Sequence, residues 1–531
     1  MKRLLLFFIA FISVLDINAQ SWQQKGNFSG SFESNSIYYV KDTKIDPFWE
    51  KGKDVFATND YLKLDYTLGN FSTGIQLEAY MPALKGFEIA NIENYKKFFI
   101  GSKYIQWQDN DFEVRIGNLY EQFGSGIVFR SYEDRTLGFN NSLEGISANY
   151  NFNNIINVAG LAGRPRFGSD YLESWFRGAD LGFIISELFK SSELFISLEG
   201  SYVNRYESIY KDPVLKFDEY FGVSSSNMNM YSSRINLGFK GITLKNEYVK
   251  KLTPDIPHTN VIDMAKKGDA FLAELGVNIN RFAMLATFRK LSNIGTALSL
   301  YETGMFNTMN YLPILTRQYT YSLANLNPYK MPEIGEIGGQ ADLYYSIKGK
   351  RVKYWNFHIN LSTFYTNKTE MSNNKRLFLW RDLNVDIERK WNKNLKTTIL
   401  YSNRKWDPMS GAINTKYYSS NIFVIDIASK FDKNLALRTE LQYLQSKDYE
   451  KDWVAGSFEL SIAPKWSIFI SDMYNFESKT HYYNGGFSYS KGKSRAQVSY
   501  GRTKEGYICS GGICRPTPAF TGLNLLLTTA F

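Results

Sequence analysis

Histidine and cysteine are almost missing from this chain of 531 residues, which holds three of the one and two of the other. His258, His358 and His481 lie far apart, and no H-E-x-x-H, paired-cysteine ligand set or phosphate-cradling glycine loop occurs. Gly124-Ser125-Gly126 lacks the spacing of a strained nucleophile elbow. No catalytic, cofactor-binding or metal-binding residue is therefore assigned, and an enzyme is not expected. Long hydrophobic runs are lacking as well. Past the first residues, no stretch approaches the roughly 18 uninterrupted apolar residues of a membrane-spanning helix. Proline is scarce at 13 residues, and no linker or low-complexity tract breaks the stretch from Gln20 to Phe531. A chain of this length ordinarily suggests several domains. The even texture implies one, covering 20–531.

The two cysteines, Cys509 and Cys514, bracket the flexible run Ser510-Gly511-Gly512-Ile513. In an oxidising compartment they read as a local disulfide. The alternative is a metal or redox pair, but no histidine lies nearby to complete a site. The formal charge of +10 is compatible with nucleic acid. An exported chain has little access to it, and the basic residues sit in turns, so no nucleic-acid partner is expected.

Export is the reading of the amino terminus. Met1-Lys2-Arg3 is basic, Leu4 to Leu15 is apolar apart from Ser13, and Asn18-Ala19 offers small residues before Gln20. Residues 1–19 thus read as a cleaved signal peptide, too short to span a bilayer. No cysteine sits there to accept a lipid. What the chain has in abundance is aromatic side chains, 37 tyrosines and 39 phenylalanines, beside a mean hydropathy of −0.32. That combination fits a transmembrane β-barrel, with a lipid-facing apolar face, a polar lumen and aromatic rims.

Period-two alternation supports the same conclusion. Leu62, Leu64, Tyr66 and Leu68 alternate with Lys63, Asp65 and Thr67, Gly69-Asn70 turns the chain, and Ile75, Leu77 and Ala79 return. The unit recurs through Phe271–Ile279, Phe282–Phe288 and Leu435–Tyr443. We expect an all-β antiparallel barrel of about 24 strands, within a range of about 22 to 26. Short turns, as at 240–241 and 280–281, alternate with mostly longer segments, as at 41–58, 120–141, 207–228 and 291–334. This is the asymmetry of short periplasmic turns and long extracellular loops. The chain closes on an amphipathic strand ending in the aromatic Phe531, which reads as the signal recognised by the barrel-assembly machinery.

Projecting the alternation inward gives a lumen of mixed charge that includes Lys63, Asp65, Gln76, Glu78, Arg115, Arg289, Asp342, Arg438 and Glu440. His358 also projects inward, beside Asn356 and Asn360. The segments 120–141 and 291–334 are long enough to fold into the barrel as a constriction or to cap it. Arg115, Glu121, Arg130, Glu133, Arg135, Tyr319 and Tyr321 are the candidate lumen and constriction residues. The bland alternative is a pair of surface loops packed on themselves.

The strings Gly26–Ser36, Gly117–Gly126, Arg130–Glu133 and Tyr319–Leu326 resemble an uncharacterised family of Bacteroidota outer-membrane barrels, a domain of unknown function. The resemblance covers nearly all of 20–531 and implies fold and location but no mechanism. The expected function is a porin-like channel for small hydrophilic solutes. The alternative is a non-enzymatic accessory barrel of a secretion, assembly or uptake complex. A TonB-dependent transporter is disfavoured, because alternation starts at about Asn27 and leaves no room for a plug domain ahead of it. The expected partners are outer-membrane lipid, the barrel-assembly machinery during biogenesis and, on the accessory reading, other outer-membrane proteins. No cofactor is expected.

Overall fold

The computed structural model describes residues 26–46, 55–87, 97–189, 193–209, 225–255, 266–302, 306–332, 335–349, 353–368, 373–411, 416–510 and 513–531. The signal-peptide reading of 1–19 falls outside them. The chain forms a closed antiparallel barrel of 24 strands with almost no helix. Each long strand pairs with its neighbours in sequence, and the first, Asn27–Val40, pairs with the last, Phe520–Ala530. The closing register runs from Ser31↔Ala530 to Val40↔Thr521. Among the described residues no helix is long and apolar enough to cross a membrane.

The strands form where the sequence alternates. Outward positions such as Ile105, Ile116, Ile235, Ile399, Ile425, Leu441 and Ile470 are exposed and apolar, and they build the lipid-facing band. Trp391, Phe431 and Trp466 are exposed beside the tight turns, while Tyr38, Phe98 and Tyr206 are exposed at the opposite rim. These two aromatic girdles mark the interfaces. At Lys240-Gly241 both residues take positive φ, 45° and 82°. This left-handed pair matches the strand twist and permits a two-residue hairpin.

At one end of the barrel the connections are short. The other end carries the longer ones, among which 168–174, 447–452 and 476–479 are short. The segment read from sequence as a loop at 164–176 is mostly strand, since Ile156–Phe167 reaches further out. In the two longest connections the described residues 120–142, 293–302 and 306–332 turn back into the lumen and pack on inward-facing wall residues.

The plug changes the character of the wall. Along Asn227–Phe239 the inward residues are Met228 and Met230 at the outer end, then Ser232, Arg234 and Asn236 toward the periplasm. Along Leu395–Trp406 the inward row mixes Lys396, Leu400 and Arg404. The polar interior of mixed charge read from the alternation is thus interrupted by apolar positions. Where the plug docks, the inner face is apolar, because the wall buries side chains there instead of meeting water.

Candidate functional site

The plug is one body made of two segments. In the first, short hairpins pair Gln122–Phe123 with Phe129–Arg130 and Glu133–Asp134 with Phe139–Asn140. The second runs along it. Arg130 N–H donates to the Met309 carbonyl at 3.0 Å, Tyr311 N–H to the Gly126 carbonyl at 2.9 Å, and Asn310 Nδ2 to the Ile127 carbonyl at 2.6 Å. Arg130 stacks its guanidinium over Tyr311 at 3.8 Å and Tyr132 at 4.7 Å. Against the wall, Phe123, Ile127, Val128, Phe129, Leu298 and Met309 pack with Leu161, Phe176, Val203, Met230 and Val249. Further on, Tyr319, Tyr321, Leu323 and Ala324 pack on Leu400, Ile422, Val424, Leu444 and Trp453. The plug therefore reaches across the lumen between two apolar patches of wall.

Polar anchors fix its position. Arg135 bonds Glu33 at 3.0 Å, Glu133 at 3.3 Å and Gln76 at 3.0 Å, which ties the first segment to the wall beside the closing seam. Burial works against the Arg135 charge, but these carboxylates outweigh it and hold its pKa above the ordinary value. Arg317 leaves the second segment to pair with Asp386. His358 bridges Asp386 and Asp342 at 2.9 and 2.8 Å. Arg289 and Glu336, both fully buried, pair at 2.6 Å, and the Tyr329 hydroxyl donates to the same carboxylate. Beside the first segment, near the outer ends of their strands, the wall pair Glu78 and Arg166 is doubly bonded at 2.8 and 2.7 Å.

The candidate residues from sequence thus fall into separate groups and do not form a single ring. Glu133 and Arg135 sit together, with Arg130 further along the same segment. Tyr319 and Tyr321 lie on the second segment against the opposite wall, where the Tyr321 hydroxyl donates to Asp426 at 3.4 Å. Glu121 accepts from Ser147 at 2.9 Å, and burial raises its carboxyl pKa. Arg115 stays on the wall, donating to the Asn118 carbonyl at 2.8 Å and lying over Tyr104 at 3.9 Å. Phe531 packs on Phe28 at the seam, and its N–H donates to the Gly30 carbonyl at 2.9 Å.

Cys509 and Cys514 are bonded in the hairpin formed by Gly506–Ser510 and Ile513–Thr517. That hairpin leans over the plug. Ile513 packs with Tyr132, Leu137 and Phe139, and Lys330 lies over the Tyr507 ring at 3.3 Å.

Space remains on the other side. A cavity of about 570 Å³ runs between Thr320, Ser322 and Leu326 of the plug and a wall that includes Arg438, Glu440, Ser471, Asn484, Ser499 and Asn524. An outer vestibule of about 750 Å³, bordered by Trp380, Trp406, Tyr418 and Tyr449, shares Leu326, Lys504, Glu505 and Tyr507 with it. A third cavity of about 290 Å³ lies behind Tyr329 and Trp380. Trp380, Trp406 and Arg404 were not singled out from sequence. Only their inward register marks them, and register says nothing about what stands opposite.

The solved structures that resemble this barrel are outer-membrane barrels of low sequence identity. OpdQ of Pseudomonas aeruginosa is 10% identical over 96% of this chain and 97% of its own, with a TM-score of 0.34. The P pilus usher (PapC) translocation pore is 8% identical over 95% and 99%, at 0.44. The siderophore receptor PirA of Pseudomonas aeruginosa is 9% identical over 95% and 80%, at 0.41. No curated protein matches the chain. One family model matches residues 1–531 throughout, and the protein belongs to that family, the family of unknown function DUF6029.

Proposed function

We propose that this barrel is an outer-membrane channel for small hydrophilic solutes, whose passage runs beside its own plug instead of through the centre. The observation that carries this reading is the polar cavity between Thr320–Leu326 and the wall from Arg438 to Asn524, joined to an outer vestibule. A wide barrel leaves an aqueous lumen wherever nothing fills it. The lining carries both signs, with Arg438, Arg502 and Lys504 facing Glu440, Asp472 and Glu505. Such a wall favours water and hydroxylated solutes over strongly charged ones. On this reading the chain is exported through its leader, is folded by the barrel-assembly machinery and works without catalysis. The accessory-barrel reading draws on a different observation, the apolar seal that holds the plug in place.

Single-channel conductance of the refolded full chain in a planar bilayer tests the choice. We expect small, stable openings. Ser471→Trp, which fills the cavity from the wall, should lower them by half or more. Replacing 306–332 with a short Gly-Ser linker should raise them several-fold. A wild-type barrel that stays closed, while the linker variant opens widely, would favour the accessory reading. Conductance indifferent to both changes would remove the passage.

A further inference from the structure

The smallest of the three cavities is the most specifically built. It lies between the plug, the outer ends of the strands Phe378–Lys390 and Leu395–Trp406, and the disulfide-closed hairpin. Three hydrogen-bonding groups border it without a full set of partners. Trp380 is 3% exposed, and its Nε1 is buried with no acceptor. Tyr319 is 9% exposed, and its hydroxyl is buried with no partner. Arg404 is 4% exposed; its Nε donates to Ser402 Oγ at 3.2 Å and its Nη1 to the Ala324 carbonyl. Asp382 stands opposite it in the strand register, and among the described residues no carboxylate lies within ion-pair distance of it. Arg317, on the same cavity, differs in having Asp386 as its counter-ion.

Buried donors are ordinarily satisfied, and a buried cation is ordinarily paired. Here an indole N–H, a phenol and a guanidinium belong to residues that line one space. Each of them can donate, so a partner offering acceptor oxygens suits the space, and the guanidinium, with no carboxylate in ion-pair contact, favours one that is anionic. The remaining wall is flat and aromatic, from Tyr329, Tyr507 and the rings of Trp380 and Tyr319. Such faces suit the C–H face of a pyranose. The volume, about 290 Å³, lies at the small end of ligand pockets.

We propose that this cavity binds a sugar carboxylate, a pyranose bearing a carboxylate of which the uronic acids are the simplest. Arg404 meets the carboxylate, Trp380 Nε1 and the Tyr319 hydroxyl donate to ring or hydroxyl oxygens, and the aromatic faces hold the ring. Access is from the vestibule, which shares Asn327, Tyr329, Trp380 and Tyr507 with the cavity. The claim goes beyond conduction and does not rest on it, because a barrel that binds without conducting would still hold this site.

Equilibrium binding to the full chain in detergent tests it, by calorimetry and by tryptophan fluorescence. D-glucuronate and D-galacturonate are the probes, with D-glucose and inorganic phosphate as comparators. At least one uronate should bind saturably, with glucose about tenfold weaker or more, since it lacks the charge-assisted bond. Tyr319→Phe and Trp380→Phe each keep an aromatic ring and delete one donor. Either should weaken uronate binding about three- to tenfold; Tyr319→Phe, which removes only the hydroxyl, should also leave the melting temperature of the empty barrel unchanged or raised, because no protein partner is lost. Arg404→Lys keeps the charge and should retain part of the preference over glucose, whereas Arg404→Gln should erase it. Glucose binding as tightly as both uronates would overturn the role of Arg404. Phosphate binding more tightly than either would make the cavity a plain anion site. Saturation by none of the probes, or destabilisation by Tyr319→Phe, would overturn the proposal outright.

Discussion

Glu336 ties the plug to the wall. Its carboxylate is fully buried, meets Arg289 at 2.6 Å and also receives the Tyr329 hydroxyl. Arg289 in turn donates Nη1 to the Pro313 carbonyl at 2.5 Å. One buried pair therefore ties two points of the second plug segment to the wall strands Phe282–Ser292 and Glu336–Lys348. Breaking such a pair leaves an unneutralised charge in a low-dielectric site, which costs about 3–5 kcal/mol. Replacing both members with apolar residues of similar volume is often close to neutral. Glu336→Gln should accordingly loosen the plug, seen as faster proteolysis within 306–332 and a lower first unfolding transition. Glu336→Leu with Arg289→Met should recover most of that loss. A single variant as protected as the parent would show that the pair does not hold the plug.

Among the elements, the plug is held by shape as much as by charge. Phe129 sits at the centre of its largest apolar cluster, fully buried, with its ring 5.4 Å from Phe123 and 6.3 Å from Phe176 of the wall. Phe129→Ala should cost about 3–5 kcal/mol of local stability. Hydrogen exchange should then rise across 122–134 while the wall strands keep their protection; equal loosening of the wall would mean that plug and barrel unfold together. Cluster and anchors were legible to different degrees. The strands and the tight turns were readable because period two and residues such as Gly69-Asn70 are local signals. The inward fold of 120–142 and 293–335 was readable only as length. The apolar inner positions Met228, Met230, Val249 and Ile422 broke the expected polar face, and period two cannot say whether such a break meets a plug or another wall. Tyr319 and Tyr321 were candidates through their aromatic run. Trp380 and Arg404 were not, because what marks them is the absence of a partner, a property of the assembled fold.

At the scale of the whole molecule, the barrel stands or falls on one seam. A sheet of 24 strands has no free edge only if its first and last strands meet. They do so through main-chain bonds at the periplasmic end, Gly30 N–H to the Phe531 carbonyl at 3.1 Å and Phe531 N–H to the Gly30 carbonyl at 2.9 Å. The Phe531 ring lies over Gly30 so closely that a Cβ there would come within 2.5 Å of it and 2.9 Å of the Lys63 carbonyl oxygen. Glycine at 30 is thus required by close approach, and the aromatic end of the last strand is seated by it. Gly30→Ala must push the ring aside, an overpacking cost of about 1–3 kcal/mol. Phe531→Leu removes the nearest ring atoms but leaves the main-chain bonds. If ring and glycine act as one contact, the double variant should fold better than the sum of the single effects allows, by the non-additivity expected of touching residues. The folded fraction can be read from the heat-dependent shift in gel mobility, and the midpoint from urea titration in detergent. Strict additivity would place the cost of Gly30→Ala at the Lys63 carbonyl instead, and would mean that the seam closes through its backbone alone.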